Sequence, residues 1–113
     1  MNSADFVASV KKCVIDENLS IYKELFSAPP TNASDKYWQN SRALFNSLNE
    51  DQQRAFLQVI RQTMVDTISN LLGIIDGASF IEGVDQDFEL THGNNRNPLS
   101  GDLQSLFLAS EEA

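Results

Sequence analysis

The sequence predicts a single, mainly α-helical domain over residues 1–113: a three-helix bundle with a small C-terminal β-hairpin and a short closing helix. Two observations predict this fold. Apolar residues recur every three or four positions through most of residues 4–75, as they do along one face of a helix. After Gly77 this spacing gives way to short stretches bounded by glycines, which are typical of strands and turns. With 113 residues, 42% of them apolar, the chain can fill one core and leaves little room for a second domain.

The first helix is predicted from Ala4 to Phe26, with Ser3 as its N-cap. Its apolar residues form two stripes, rotated from each other by about a third of a turn or more at 3.6 residues per turn. The first stripe contains Phe6, Val7, Val10, Cys13 and Val14, and the second contains Ile15, Leu19, Tyr22 and Phe26. Either the helix breaks near Asp16 to Asn18, or it is buried on two sides, as a central or dimer-forming helix would be.

The second helix is predicted over residues 35–48. Pro29 and Pro30 end the first element, because proline disfavours helix in the residue before it, and Ser34 is placed to cap the next helix. Spacing indicates that one face of this helix is buried. That face comprises Tyr37, Trp38, Leu44, Phe45 and Leu48.

The third helix has the strongest start signal in the sequence. Asn49 is followed three positions later by Gln52, the spacing of a capping box. From there the pattern is helical to Ile75, where Asp76 and Gly77 predict its end. Apolar residues cover an arc wider than one packing face needs, which is typical of a central helix, and Gly73 is expected on its polar side.

The hairpin is predicted at residues 78–92, with its turn near Gly83 to Asp85. Phe88 and Leu90 alternate with acidic residues, as in a half-buried strand. Residues 92–98 are expected to form an irregular loop. A last helix over residues 101–110, capped by Ser100, has an apolar face of Leu103, Leu106 and Phe107.

The chain carries sixteen acidic residues against eight basic ones, a net charge of −8. Ten of the acidic residues but only three of the basic ones lie in residues 51–113, so this part should project a negative field. We therefore expect no direct binding to nucleic acid, which requires a basic patch. Cys13 has no partner for an internal disulfide, the N-terminus lacks the pattern of a signal peptide, and the longest apolar tract is too short for a membrane span, so we expect a cytoplasmic protein.

The acidic residues after the third helix invite a metal or catalytic interpretation, which their spacing does not favour. Counted from Asp85, a calcium loop needs glycine at its sixth position and glutamate at its twelfth, where this chain has Leu90 and Arg96. His92 is more typical of a turn, and Cys13 lies in an apolar stripe, so neither predicts a base or a nucleophile. We expect no metal, no cofactor and no enzymatic activity, although a small carboxylate-based hydrolase is a third possibility.

The same residues fit a surface for a basic protein. Acidic groups on a rigid hairpin can steer and bind such a partner, as carboxylates do in nuclease inhibitors, and this chain has the size and charge of small immunity or antitoxin-like inhibitors. Two alternatives stay open: a solvated face without function, and a self-associating homodimer formed by the two-sided first helix. Arg96 either closes a salt bridge to the hairpin or contacts the partner. The predicted binding residues are Asp76, Glu82, Asp85, Asp87, Glu89 and Arg96.

Overall fold

A computed structural model describes residues 1–28 and 35–112, and these residues are mainly helical. A small antiparallel hairpin and a C-terminal helix complete the chain, so the coarse fold prediction is confirmed. The arrangement of the helices as a three-helix bundle stays a prediction. The predicted loop at residues 29–34, including the cap Ser34, lies outside the described residues. Among the residues described, no helix combines the length and the apolar character that crossing a bilayer requires.

The first helix runs without a break from Ser3 to Ser27, but its winding changes on the way. It consists of α1 (Ser3–Val10), a π-helical segment (Lys11–Asp16) and α2 (Glu17–Ser27). Because a π-turn holds about one residue more than an α-turn, it changes the face on which later residues lie. Ile15 is thereby fully buried in the same core cluster as Val7. The predicted break is therefore absent. The two stripes belong to one continuous helix, in which the π-helical segment rotates the second stripe about the axis relative to the first.

The caps of this helix and of the next one differ from those predicted. At the first helix, Asn2 rather than Ser3 is the N-cap, and its side-chain oxygen accepts a hydrogen bond from the Asp5 amide at 2.8 Å. Helix α3 spans Lys36–Ser47, and Asp35 caps it by accepting from the Trp38 amide at 2.9 Å. Asparagine and aspartate are both good N-caps. In the first helix, the residue directly before the predicted cap takes this role.

Helix α4 spans Glu50–Ile75, a length of about 39 Å at 1.5 Å per residue. Its predicted capping box is present: the Gln52 amide donates to Asn49 at 2.8 Å, and the Asn49 amide donates to the Gln52 side chain at 3.0 Å. Its end is also as predicted, with Gly77 at a φ of 78°, a left-handed conformation that suits glycine. This helix contacts α2, the π-helical segment and the C-terminal helix along its length.

Two clusters of side chains pack along α4, and they divide the molecule into two lobes. The aromatic lobe comprises residues 20–28 and 35–64. Its rings belong to Tyr22, Phe26, Trp38, Phe45 and Phe56, with Phe26 and Phe45 stacked at a centroid distance of 4.7 Å. The acidic lobe comprises residues 1–19 and 65–112, and its buried core consists of Val7, Ile15, Val65, Ile68, Leu72, Leu103 and Phe107.

Helix α5 (Leu103–Glu112) closes the acidic lobe. Of its predicted apolar face, Leu103 and Phe107 are fully buried, whereas Leu106 is exposed. The helix packs against α1 and α4. The expectation that Gly73 lies on the polar side of α4 is wrong. Gly73 is buried against α5, where a Cβ atom would lie 2.9 Å from the side-chain Nε2 of Gln104.

The hairpin exists, but the predicted position at residues 78–92 is wrong. Strand β1 (Thr91–His92) pairs with strand β2 (Asn97–Pro98), and residues 93–96 form the turn. Residues 78–90 contain no strand. Alternating apolar and acidic residues form a strand only where a second strand offers a ladder of hydrogen bonds, and residues 78–83 offer none.

Candidate protein-binding segment

Asp76 caps helix α5 from the end of helix α4. Its Oδ1 accepts hydrogen bonds from the amides of Gly101 at 2.7 Å and Leu103 at 3.1 Å, and its Oδ2 accepts from the Gln104 amide at 2.8 Å. A carboxylate is favoured at this end of a helix by the helix dipole and by the strength of charge-assisted hydrogen bonds. Both oxygens of Asp76 are thus engaged within the chain. Its predicted role in partner binding stays a prediction.

Sequence reasoning assigned this cap to Ser100 instead. The Ser100 hydroxyl accepts a hydrogen bond from the Leu90 amide at 2.8 Å and so fixes the start of the hairpin. The true cap lies 25 to 28 positions before the amides it binds, a separation that capping patterns in a sequence do not cover.

The acidic segment, residues 78–89, follows α4 on irregular backbone. Its four carboxylates, those of Glu82, Asp85, Asp87 and Glu89, belong to exposed residues. None of the four takes part in an ion pair among the described residues, where the pairs are Lys11–Glu111, Arg61–Glu111 and Arg54–Asp51. Their charges are thus available to another molecule.

Apolar side chains are exposed in the same segment. Phe80 is 83% exposed, and Ile81, Val84 and Phe88 are between 40% and 46% exposed. Phe88 was predicted to be half-buried in a strand, and its spacing gave no indication of this apolar surface. An exposed run of large apolar groups is a feature of surfaces that bind other molecules.

The segment folds back on itself despite lacking regular structure. The Val84 amide donates to the Ile81 carbonyl at 3.1 Å across a turn that has Gly83 at a φ of 83°. Asp87 then returns to Gly77, where an added Cβ would lie 3.3 Å from its carboxyl carbon. The depression between these residues has a volume of about 10 Å³, space for a water molecule at most. Recognition here would use the outer surface rather than a pocket.

Arg96 lies at the last position of the hairpin turn, with a φ of 51°. It is exposed, and the ion pairs found among residues 1–28 and 35–112 do not include it. The predicted salt bridge to the acidic residues is therefore not formed in this part of the chain, and contact with a partner stays a prediction.

Within the described ranges, no three histidine, cysteine, aspartate or glutamate residues lie close enough to share a metal ion. The core position predicted for Cys13 is wrong, because this residue is exposed. Cys13 and His92 line one shallow apolar depression of about 390 Å³, together with Phe6 and Leu90.

Glu111 takes part in two ion pairs, with Arg61 and with Lys11. Its carboxylate accepts from Arg61 at 2.6 and 3.1 Å and lies 2.9 Å from the Lys11 amine. The hydrogen bonds from Arg61 lower the pKa of Glu111 to about 2, against a smaller opposing effect of burial, and they raise the pKa of Arg61. This contact fixes α5 to α4 and to the π-helical segment.

Comparison of the chain with protein-family models, with curated proteins and with solved structures found no match.

Proposed function

We propose that this protein is a non-catalytic binding module whose acidic segment binds a basic protein. The most specific form of the proposal is an immunity-like or antitoxin-like inhibitor of a toxin nuclease or another enzyme that acts on nucleic acid. One observation carries it: residues 78–89 hold four exposed apolar side chains interspersed with four exposed carboxylates that form no ion pair among the described residues. A cytoplasmic location belongs to the same proposal.

The two kinds of side chain have complementary roles in this proposal. Apolar anchors such as Phe80 and Phe88 supply affinity when a partner covers them, because a few buried aromatic residues usually dominate an interface. The carboxylates raise the association rate and select for Lys and Arg by charge-assisted hydrogen bonds. A face that served only solubility would not need a phenylalanine that is 83% exposed.

The charge of the surroundings favours a basic partner. The acidic lobe contains twelve acidic residues and three basic ones, a net charge of −9, and two of its basic residues are Lys11 and Lys12 on the π-helical segment. The acidic residues repel a nucleic acid, which is also negatively charged, and they attract a basic protein that binds nucleic acid.

A self-associating homodimer formed by the first helix stays the alternative proposal. Ile15 and Phe26 of its second stripe are buried within the chain, which weakens this alternative. Tyr22 of the same stripe is only partly buried and lines a groove that is open to solvent.

The experiment is a pull-down from the native host with the tagged protein, at low and at moderate salt. The test variant neutralises the segment: Glu82→Gln, Asp85→Asn, Asp87→Asn and Glu89→Gln. The matched control neutralises four exposed acidic residues elsewhere: Glu17→Gln, Glu24→Gln, Asp66→Asn and Glu112→Gln. A second test variant carries Phe80→Ser and Phe88→Ser. The first two variants should retain the stability of the wild type to within about 0.5 kcal/mol per site, since the residues are exposed.

We expect the wild type and the control to retain the same basic protein, with binding weakened by salt. Both test variants should lose it, with at least a tenfold weaker affinity in a titration against the purified partner, or about 1.4 kcal/mol. Equal retention by the segment variant and the control would disprove the proposal, and so would capture of acidic proteins only.

A further inference from the structure

We propose that a groove on the aromatic lobe is the interface between two copies of this chain, packed about a two-fold axis. The groove lies between α2, α3 and α4 and has a volume of about 360 Å³. This inference is independent of the binding function proposed for the acidic segment. The side chains that carry the argument are Tyr22, Tyr37, Leu44, Phe56, Val59 and Thr63.

The rim of the groove is apolar and open to solvent. Tyr37 is 63% exposed and Val59 is 65% exposed, and Leu44 is also exposed. Helical spacing predicted Tyr37 and Leu44 in the core, but more than half of each residue is exposed. Tyr37 contacts the ring of Trp38 edge to face at a centroid distance of 5.1 Å. The apolar face of α3 is therefore only partly covered within one chain.

Helix α4 presents a regular seam along this groove. Phe56, Val59 and Thr63 follow one another at positions i, i+3 and i+7, the spacing at which helices of different chains pack knobs into holes. Val59 protrudes from the seam, and the groove beside it can receive the same side chain of a second copy. A self-complementary patch of this kind is what a two-fold interface requires.

The chemistry of the lining favours a second copy over a charged partner. The lining residues are apolar or carry only a hydroxyl group, as Tyr22, Tyr37 and Thr63 do. A strongly basic or acidic partner would find no opposite charge there and would lose hydration on binding. A second groove brings matching apolar groups, and its hydroxyl groups can pair with those of the first.

The distribution of charge leads to the same conclusion. Residues 20–64 carry four acidic and five basic residues, a net charge of +1, whereas the rest of the chain carries −9. Two copies that met through their acidic lobes would bring these negative charges together. Val59 lies about 25 Å along α4 from Asp76, some three times the Debye length at physiological salt, so contact through the groove keeps the charges apart.

The chain exposes more surface than a compact protein of its mass, and the groove is one part of that surface. Its accessible surface is 8003 Å² and its radius of gyration is 17.9 Å. A compact protein of this mass exposes about 6,200 Å², and one of this length has a radius of gyration of about 13 Å. Each partner contributes roughly 800 Å² to a stable interface, so the interface would include the groove and the exposed surface around it.

The experiment measures molecular mass by sedimentation equilibrium from about 1 μM to about 1 mM, the range over which weak dimers form. The test variant is Val59→Asp, and the matched control is Leu71→Asp, on the same helix, similarly exposed and outside the groove. Both positions are exposed, so circular dichroism and Trp38 fluorescence should show that both variants fold as the wild type does.

We expect the wild type and Leu71→Asp to reach twice the chain mass of 12.6 kDa. Val59→Asp should weaken the dimer at least a hundredfold, because each interface would bury two unpaired carboxylates. Added salt should leave the dimer unchanged or strengthen it, while it should weaken binding of a basic protein to the acidic segment. The inference is overturned if the wild type keeps the single-chain mass throughout, or if both variants dimerise equally well or dissociate together.

Discussion

The two lobes differ in how completely their cores are closed and in the charge that surrounds them. The acidic lobe has a core that is aliphatic apart from Phe107; Ile15, Leu103 and Phe107 are fully buried in it, and α5 covers it. In the aromatic lobe the rings stack on one another, yet a face of α3 and α4 stays open beside them. The first lobe carries a net charge of −9 and the second +1.

The chain therefore carries two kinds of exposed apolar surface in different places, one without charge and one with carboxylates. Apolar exposure in the aromatic lobe comes without charge, so we expect association there to be insensitive to salt or favoured by it. Apolar exposure in residues 78–89 comes with carboxylates, so we expect association there to be selective and sensitive to salt. The two proposed interfaces therefore respond to salt in opposite directions.

The largest expected effect tests whether the lobes unfold as one unit. Phe107→Ala should lower the free energy of unfolding by about 3–5 kcal/mol, because it leaves a cavity in a closed core. Phe26→Ala should cost less, about 2–4 kcal/mol, because the open groove lets its neighbours rearrange. Urea unfolding followed by circular dichroism and by Trp38 fluorescence measures both changes.

Trp38 is the only tryptophan and lies in the aromatic lobe, so its fluorescence reports on that lobe. We expect Phe107→Ala to shift the fluorescence and dichroism midpoints together, since the first helix and α4 run through both lobes. A fluorescence midpoint that stays at its wild-type value would show that the lobes unfold separately.

The next effect sharpens the comparison within the acidic lobe, between Asp76 and its neighbours. Asp76→Ala should lower the free energy of unfolding by about 2 kcal/mol, because three α5 amides lose a charged acceptor. Glu82→Ala should change it by less than about 0.5 kcal/mol, since Glu82 is exposed. Thermal unfolding of the two variants provides the measurement, and equal losses would contradict the capping role of Asp76.

The smallest effect concerns the contact between the lobes at Glu111. Its pKa is lowered to about 2 from an ordinary value of 4.5, so its contribution to stability is present above pH 4.5 and is lost as the pH falls toward 2. Glu111→Gln should lower the free energy of unfolding by about 1–2 kcal/mol at pH 7. Urea unfolding from pH 7 to pH 2 should show the two proteins converging below pH 4.5, and a constant difference over that range would rule out the ion pair as its cause.

Local sequence signals predicted the elements that depend on neighbouring residues. Helix α4 was placed correctly because its start is a capping box and its end is a glycine with a positive φ. The burial of Leu103 and Phe107 on α5 was also predicted, because helical spacing places both residues on one face.

Signals of this kind failed where the outcome depends on residues distant in the sequence. The cap of α5 is supplied by Asp76 rather than Ser100 because the end of α4 lies beside the start of α5. Residues 87–90 alternate like a strand, but the only strands in the described chain pair across residues 93–96 instead. The candidate site was predicted by charge, whereas its exposed apolar residues depend on how the segment folds back.

The π-helical segment Lys11–Asp16 has a consequence for the geometry of the whole molecule. Its extra residue sets the rotation of α2 about the helix axis relative to α1. Removing a residue there would let the helix continue in α form, but everything beyond it would turn by about 100° around the axis. The number of residues in this segment therefore determines the direction in which the aromatic groove faces relative to the acidic segment. The first helix has no break, so the rotation set at the π-helical segment is kept along α2.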